Sequence, residues 1–381
     1  MLGIKASLLL SCLALISPAP CRVIEERAVA DHAVTFQPIY YPPSNYNTPK
    51  TLYGRTVQLA DGTLLATWYV CSYIPEPPMV YFPIYRSTDK GATWSAFSTV
   101  NDTQNGWGLR YQPFLYVLPQ QIGNLAKGTI LLAGNSIPTD LSKTKIDIYA
   151  STDSGKTWSF VSSVASGGKA VPNNGETPIW EPFLMVYNNQ LVCYYSDQRD
   201  SAYGQKLVHQ TSSNGLTWGS VVNDVRGTAY SQRPGMTTVT SLPNGKWMMT
   251  FEYGGGTSPS GASFPIYYRI SSSPLTFDSA ANQILVAGTR YPSSSPYLTW
   301  SSSGGANGTL VVTANSDGGI YINTKLGDPN SWTYYTIPQP GAYSRQAMVM
   351  DNPDWLYVMS AGYLGGNNWV TDSVFKLPNL S

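Results

Sequence analysis

A strand-like apolar run recurs six times along this chain of 381 residues. Each run is short and rich in β-branched or aromatic residues, and most follow a turn signal such as Asp61-Gly62 or Asn244-Gly245, which is typical of the second strand of a hairpin. The runs cover residues 62–68, 128–133, 190–195, 245–251, 308–314 and 355–359. Their spacing of about 47 to 66 residues is closest to that of propeller blades. The repeat therefore predicts an all-β fold, a six-bladed β-propeller.

A further strand precedes each run, and aligning the six copies on a common frame predicts which residues face the central channel. The predicted ring consists of Arg55, Gln112, Glu181, Arg233, Ser295 and Arg345. The ends of the following strands align at Tyr69, Asn135, Ser196, Glu252, Asn315 and, approximately, Ser360. Only Glu181 and Glu252 are acidic in these two sets. Two carboxylates that point into one funnel are the groups that acid–base and nucleophilic chemistry on a sugar requires.

The composition agrees with a propeller and limits the possible partners. Charged residues make up only 12% of the chain and aromatic residues 13%, with 34 glycines and 28 prolines, which suits short strands joined by turns. Because a propeller closes all its repeats into one ring, we expect residues 21–381 to form a single domain. The net charge of +1 gives no basis for binding nucleic acid or an anionic membrane. We expect a neutral partner, no cofactor and no metal site, since His32 and His209 form no ligand pattern.

Residues 1 to about 20 are typical of a secretory signal peptide. Lys5 precedes the apolar stretch 8–16, and small residues follow at 17–20. No later segment approaches the ~20 apolar residues that a membrane helix needs. We therefore expect a secreted, extracellular protein without a membrane anchor.

An eight-residue motif at residues 87–94 is repeated at 151–158 and, in degraded form, at 211–218. Asp89 and Asp153 are predicted to accept hydrogen bonds from turn amides, while Trp94 and Trp158 pack between sheets. The motif resembles the Asp box of the sialidase superfamily, which lies on the outer part of the blades. It therefore predicts structural turns and no catalytic role.

Three segments carry a closer family resemblance: residues 180–184 (Trp-Glu-Pro-Phe-Leu), 250–254 (Thr-Phe-Glu-Tyr-Gly) and 342–344 (Ala-Tyr-Ser). Together they resemble glycoside hydrolase family 93, the fungal exo-1,5-α-L-arabinanases, over the chain from about residue 35. The resemblance implies a six-bladed propeller that releases arabinobiose from the non-reducing end of linear arabinan, a neutral plant cell-wall polysaccharide, with retention of configuration. It also implies that Glu181 is the acid/base and Glu252 the nucleophile. Tyr343 matches the nucleophilic tyrosine of sialidases and is expected to hydrogen-bond or polarise Glu252.

This chemistry makes demands on the surroundings of both carboxyl groups. Retention needs them about 5 to 5.5 Å apart. We expect a poorly solvated funnel to raise the pKa of Glu181, as a proton donor requires, whereas Glu252 must stay ionised through a nearby arginine or the Tyr343 hydroxyl. The predicted substrate contacts are Arg55, Gln112, Trp180, Arg233, Tyr253, Ser295 and Arg345. The protein is expected to act as a monomer.

Two other functions fit parts of the pattern. Arg55, Arg233 and Arg345 are compatible with the arginine triad with which sialidases clamp a substrate carboxylate, although Glu181 would then have no role. A non-catalytic sugar-binding propeller would instead use exposed aromatic residues such as Trp107, Trp180 and Tyr253 as stacking platforms. Glu176 lies only five residues from Glu181, but it falls outside the aligned strands, and we expect no catalytic role for it.

Overall fold

Six four-stranded antiparallel sheets account for nearly all regular structure in the protein. The computed structural model describes residues 31–70, 76–77 and 79–378, so the predicted signal peptide lies outside the described residues. Within these ranges the one helical segment is a single 3-10 turn, Phe277–Ser279. Over the same ranges, no helix has the length and apolarity that a membrane crossing requires. The predicted all-β, six-bladed architecture is confirmed.

Each blade comprises four strands, and five of the six blades use strands that are consecutive in the chain. Blades 1 to 3 contain β2 (Thr51–Gln58), β3 (Leu64–Val70), β4 (Tyr81–Ser87) and β5 (Ser95–Asn101); β6 (Leu109–Val117), β7 (Ile130–Ser136), β8 (Thr144–Ser151) and β9 (Ser159–Gly167); and β10 (Ile179–Tyr187), β11 (Gln190–Asp197), β12 (Lys206–Ser212) and β13 (Val222–Val225). Blades 4 and 5 contain β14 (Arg233–Ser241), β15 (Trp247–Gly254), β16 (Ile266–Ser271) and β17 (Gln283–Ile284); and β18 (Tyr297–Ser301), β19 (Thr309–Thr313), β20 (Ile320–Asn323) and β21 (Thr333–Tyr335). Blade 6 contains β22 (Gln346–Val349), β23 (Trp355–Ser360), β24 (Val370–Lys376) and β1 (Val34–Tyr40).

The six apolar runs of the sequence are the second strands of the blades. They coincide with β3, β7, β11, β15, β19 and β23. The turns before β3 and β15 place Gly62 at φ +85° and Gly245 at φ +79°, a left-handed conformation that glycine adopts without steric strain. The hairpin turns therefore fix where each run begins, as the sequence predicted.

Ring closure combines the two ends of the chain in one sheet. β1 pairs antiparallel with β24 as the outer strand of blade 6, with Val34 opposite Val374 and Tyr40 opposite Val370. The innermost strands contact one another around the ring, including β2 with β22 across the junction of blades 1 and 6. Closure therefore depends on strand pairing and on packing between blades.

The junction of blades 1 and 6 is packed around one tryptophan. Trp68 of β3 is fully buried, and its ring lies 5.2 Å from that of Tyr40 in β1 and 4.8 Å from that of Tyr85 in β4. Aromatic pairs at these separations stabilise a core beyond the area that they bury. Trp68 thus links the N-terminal strand to the first blade.

The repeated eight-residue motif forms turns between the third and fourth strands of the blades. The carboxylate of Asp89 accepts the Thr93 amide, and that of Asp153 accepts the Thr157 amide, each at 2.9 Å. The Trp94 indole donates to Asp372 of blade 6 at 3.1 Å, which connects neighbouring sheets. The prediction that these residues form structural turns is confirmed.

We expect Trp68→Ala to lower the free energy of unfolding by about 3 to 5 kcal/mol, because it leaves a large cavity where the first and last blades meet. Urea denaturation followed by tyrosine and tryptophan fluorescence measures this change. Leu216→Ala, which shortens an apolar side chain that is 54% exposed, is the control and should stay within about 0.5 kcal/mol of the wild type. Equal stability of the two variants would contradict a closing role for Trp68.

Candidate active site

Every innermost strand is preceded or interrupted by a non-glycine residue with positive φ. These residues are Tyr53 (63°), Gln112 (58°), Glu181 (62°), Met236 (59°), Ser295 (44°) and Ser344 (56°). In the first four blades this residue is the first one inside a break in the strand register, which defines a β-bulge. Non-glycine residues in this conformation are strained and persist where the surrounding structure holds them, often at functional sites.

The residues with positive φ differ in part from the channel-facing ring that the alignment of the six repeats predicts. Gln112, Glu181 and Ser295 occupy the expected position, but Tyr53, Met236 and Ser344 stand where Arg55, Arg233 and Arg345 were predicted. The alignment fails in these three blades because the residue with positive φ lies away from the aligned position, at Tyr53, Met236 and Ser344, and no sequence pattern marks it. In blade 4 the sequence Arg233-Pro234 aligns with Glu181-Pro182 of blade 3, but it lies before the β-bulge and not within it.

The carboxyl groups of Glu181 and Glu252 converge on one point. A Cβ atom built on Gly235 would lie 3.5 Å from Oε2 of Glu181 and 3.7 Å from Oε1 of Glu252. These two oxygens are therefore at most about 7 Å apart. This limit includes the separation of about 5 to 5.5 Å found in retaining glycosidases and reaches only the lower end of the range of about 6.5 to 9.5 Å found in inverting ones. Two acidic residues that are 71 positions apart in the sequence thus face the same small volume.

Backbone amides of two residues with positive φ, Met236 and Ser295, hold both carboxylates in place. The amide of Met236 donates to Oε2 of Glu181 at 2.8 Å, and the amide of Ser295 donates to Oε2 of Glu252 at 2.7 Å. The hydroxyl of Ser196 donates to the same Glu181 oxygen at 2.7 Å. In each case the amide belongs to the blade that follows the glutamate, so packing between blades fixes the positions of both side chains.

Burial raises the pKa of both carboxyl groups, and the charge of Glu181 raises that of Glu252 further. Burial raises the pKa of Glu181, opposed by hydrogen bonds from Ser196 and Met236 and by the charge of Arg233. Burial and the charge of Glu181 raise the pKa of Glu252 to about 7, opposed by the Ser295 amide and again by Arg233. Because the two groups interact, the pair holds one proton more readily than two separate carboxyls do.

The raised pKa of Glu181 agrees with the sequence analysis, whereas the surroundings of Glu252 differ from it. Among the arginines expected to keep Glu252 ionised, Arg233 opposes its protonation, but the neighbouring Glu181 charge favours it. Burial and the charge of Glu181 thus outweigh Arg233 and the Ser295 amide at Glu252 and favour its protonated form.

A cavity of about 470 Å³ opens above the two carboxylates. Its walls combine aromatic rings with polar and charged side chains. The lining includes Tyr69, Tyr111, Gln112, Trp180, Gln205, Arg233, Phe264, Tyr343 and Leu364. The Tyr69 ring lies 5.3 Å from that of Tyr111. Such a cavity suits a ligand with apolar faces and a limited number of hydrogen-bonding groups.

Neutral amides, rather than carboxylates, hold the Arg233 guanidinium at the cavity wall. It donates to Oε1 of Gln198 and Oε1 of Gln205, each at 3.0 Å, and to Oδ1 of Asn174 at 2.5 Å. Gln198 also accepts the Trp180 indole at 2.9 Å. These bonds fix Arg233 and Trp180 together while leaving the positive charge of Arg233 available to the carboxyl pair.

The structure brings some predicted site residues to the cavity and not others. Gln112, Trp180, Arg233, Glu181, Glu252 and Tyr343 line it. Arg55 lies below Glu181 in a narrow channel and donates to the carbonyl and hydroxyl of Ser344. Ser295 is fully buried and reaches the site through its amide.

Arg345 and Tyr253 do not line the cavity. The Arg345 guanidinium is buried and donates to the carbonyls of Gly318 and Pro340, so it braces blades 5 and 6. The Tyr253 hydroxyl donates to Gln232 at 3.1 Å, and its ring packs against Phe251 and Tyr267 in the core. Their side chains are occupied by structural contacts, because their strand positions face away from the funnel.

Several cavity residues are absent from the predicted set. Tyr111 precedes the bulge residue Gln112 just as Trp180 precedes Glu181, so the alignment of blades 2 and 3 could have predicted Tyr111 as a cavity residue. Gln205, Phe264 and Leu364 come from connecting segments, for which no repeat pattern exists. Among the described residues, no group of three or more His, Cys, Asp or Glu side chains is arranged to hold a metal ion.

Comparison with known proteins relates this site to glycoside hydrolases. An α-L-arabinofuranosidase of family GH93 from Fusarium graminearum, solved with arabinobiose, is 49% identical over 90% of this chain and 98% of its own, with a TM-score of 0.88. An α-L-arabinanase from Penicillium chrysogenum, also solved with arabinobiose, is 51% identical over 91% of this chain and 99% of its own, with a TM-score of 0.87. The NanB sialidase from Streptococcus pneumoniae, at 11% identity and a TM-score of 0.57, shares the fold. No protein-family model and no curated protein matches the chain.

We expect Glu252→Gln to stabilise the fold at pH 8 and to change stability little at pH 4. Folding raises the pKa of Glu252 from 4.5 to about 7. This group therefore contributes stability that is fully present below about pH 4.5 and is lost as the pH rises through about 7. Glutamine removes the buried charge but still accepts the Ser295 amide.

Urea denaturation at pH 4 and pH 8 measures the effect. The free energy of unfolding of Glu252→Gln should exceed that of the wild type by about 1 to 3 kcal/mol at pH 8. Glu176→Gln, at a half-exposed surface glutamate, is the matched control and should differ by less than about 0.5 kcal/mol at either pH. A gain that is the same at both pH values would contradict a raised pKa.

Proposed function

The chain belongs to glycoside hydrolase family 93, and we propose that it is a secreted exo-1,5-α-L-arabinanase that releases arabinobiose from the non-reducing end of linear arabinan with retention of configuration. The observation that carries this proposal is the pair of buried carboxyl groups, Glu181 and Glu252, within about 7 Å of each other at the floor of one cavity. A hydrolysis of this kind needs two carboxyl groups and no bound cofactor.

In the first step Glu181 acts as the acid and Glu252 as the nucleophile. Glu181 gives its proton to the glycosidic oxygen while a Glu252 oxygen attacks the anomeric carbon, so that the leaving chain departs and a covalent glycosyl ester forms. Burial supports the first role, because it raises the pKa of Glu181 and keeps it protonated nearer neutral pH. Arg233 and the Ser295 amide favour the ionised form of Glu252 that attack requires, against burial and the charge of Glu181, which raise its pKa to about 7.

In the second step Glu181, now ionised, takes a proton from water as that water attacks the ester, and Glu252 is released. Formation of the ester removes the negative charge of Glu252 and with it the repulsion between the two carboxylates, so Glu181 is more easily ionised and can act as the base. Hydrogen bonds from the backbone amides of Met236 and Ser295 keep both carboxyl groups in place throughout the cycle.

Tyr343 is the third member of the proposed machinery. It lines the cavity, and burial together with the charges of Glu252 and Glu181 raises the pKa of its phenol. The hydroxyl therefore stays protonated and is available as a donor to Glu252. In this role it stabilises the ionised nucleophile before attack.

The cavity supports a neutral sugar of limited length. Its aromatic lining offers stacking surfaces, and Gln112, Gln205 and Arg233 offer hydrogen bonds. The two closely similar structures were both solved with arabinobiose. We propose that the terminal disaccharide occupies the cavity, with the bond to the third residue above the carboxyl pair.

Neither alternative from the sequence accounts for the site as well. A sialidase-like carboxylate clamp needs three converging arginines, but only Arg233 of the predicted three lines the cavity, while Arg345 binds carbonyls elsewhere. A non-catalytic binding protein gains nothing from two buried carboxyl groups that repel each other. We further propose that the protein is exported by way of residues 1–20 and acts as a monomer.

Linear arabinan incubated with the protein should yield arabinobiose whose first-formed anomer is α, as followed by proton NMR during the reaction, whereas Glu181→Ala and Glu252→Ala should release none. With an aryl arabinobioside and azide, Glu181→Ala should form the α-azide through the covalent ester, and Glu252→Ala the β-azide by direct displacement. Glu176→Ala is the control and should keep wild-type activity. A β product from the wild type, or an active Glu252→Ala, would end the proposed mechanism.

Tyr343→Phe should lower kcat for linear arabinan about 10- to 100-fold and leave KM nearly unchanged, because the lost donor acts on the charge of Glu252 and not on the bound sugar. Steady-state kinetics measures both constants. An equal rise in KM with kcat preserved would instead assign Tyr343 to substrate binding.

A further inference from the structure

Blade 6 carries a second groove, of about 350 Å³, lined by exposed aromatic rings. Phe36 and Trp369 are each 39% exposed and Tyr363 is 43% exposed. Tyr363 and Trp369 come from the loop of residues 361–369 that joins β23 to β24. The same loop supplies Leu364 to the wall of the catalytic cavity. The groove therefore lies on the face of the propeller where the catalytic cavity opens, with one loop between them.

The aromatic rings of the groove form a connected surface. The Trp369 ring lies 6.3 Å from that of Phe36 and 6.3 Å from that of Tyr41. Phe36 adopts φ +49°, an unusual conformation for a bulky residue, and its amide donates to the Ser373 hydroxyl at 2.8 Å. Strained backbone that keeps an aromatic ring at the surface suggests a functional use for that ring.

The loop that lines the groove is held in a fixed shape. The side-chain amide of Asn368 donates to the carbonyls of Thr51 at 2.9 Å and Tyr363 at 2.8 Å, and its oxygen accepts the Tyr363 amide at 3.0 Å. Gly362 adopts φ +96°, and a Cβ atom there would overlap with Asn368. A preformed groove binds a ligand without first ordering its own loop.

The chemistry of the lining selects a neutral ligand. All the described residues that line the groove are uncharged, and Ser360, Asn367 and Thr371 contribute neutral polar groups beside the rings. An ionic ligand would find no countercharge there. A neutral sugar chain offers apolar ring faces for the aromatic residues and hydroxyl groups for the amides.

We propose that this groove is a second polysaccharide-binding site, which holds a stretch of the arabinan chain remote from the bond that is cleaved. The inference rests on the proposed function, since the occupant is the substrate polymer itself. A chain held at two places on one face dissociates more slowly than a chain held at one, because the second contact forms at high effective concentration. Short oligosaccharides that fill only the catalytic cavity gain nothing from the groove.

Kinetics on a long and a short substrate test the proposal. Trp369→Ala and, as a second variant, Tyr363→Ala should each raise KM for long linear arabinan about 3- to 10-fold with kcat unchanged. Both constants for arabinotriose should equal those of the wild type. Leu216→Ala removes an exposed apolar side chain on blade 3 and should change neither substrate's kinetics. In gels that contain arabinan, the double variant Glu252→Ala/Trp369→Ala should be retarded less than the single variant Glu252→Ala.

The outcomes separate this inference from the proposed function. A wild-type protein that leaves arabinan and arabinotriose intact would end the proposed function. A wild type that degrades both, with unchanged polymer KM in both groove variants, would overturn only the second site. Equal losses on arabinotriose would assign the groove residues to folding or catalysis and overturn it too. So would a wild-type dimer in analytical ultracentrifugation that Trp369→Ala dissociates, because the groove would then bind a second copy of the chain.

Discussion

The geometry of the carboxyl pair depends on hydrogen bonds between the amide of a residue with positive φ, within or just before an innermost strand, and an acceptor side chain of the preceding blade. Met236 and Ser295 donate in this way to Glu181 and Glu252, and the amide of Glu181 itself donates to Gln112 at 3.0 Å. A bulge exposes an amide that the strand ladder does not use, and a buried amide must find a partner. Because each buried amide needs a hydrogen-bond acceptor, packing of the blades fixes the positions of the two carboxylates. A loop would hold them less rigidly.

The same hydrogen bonds also set the electrostatics of the pair. Each bond favours the charged form of its carboxylate, and Arg233 adds to this, while burial opposes the charged form of both groups and the charge of Glu181 opposes that of Glu252. The balance leaves the two groups with raised pKa values that move together, so a change of charge on one alters the proton affinity of the other. Such coupling lets one carboxyl group serve as acid and then as base within a catalytic cycle. Arg233 can act in this way because neutral amides, and no carboxylate, hold its guanidinium.

The repeats of the sequence predict the blades well and the inner ring only in part. The second strands are predictable because turn glycines such as Gly62 and Gly245 mark where each apolar run begins. The sequence places Glu181, Gln112 and Ser295 correctly, since in their blades the residue with positive φ lies at the aligned position. Arg345 is misplaced because in blade 6 that residue comes one position earlier, at Ser344. Cavity residues from connecting segments, such as Gln205 and Phe264, carry no periodic signal, so only the three-dimensional structure brings them to the site.

Comparison of neighbouring blades separates what the fold needs from what the chemistry needs. Gln112 and Glu181 occupy the same bulge position in blades 2 and 3, and each accepts an amide hydrogen bond from the bulge of the next blade. An uncharged amide therefore satisfies the structural requirement fully. Burial raises the pKa of Glu181, so this group lowers stability once the pH rises through that pKa. Since glutamine occupies the equivalent position in blade 2, the buried carboxyl group of Glu181 is best explained by the catalytic role proposed for it.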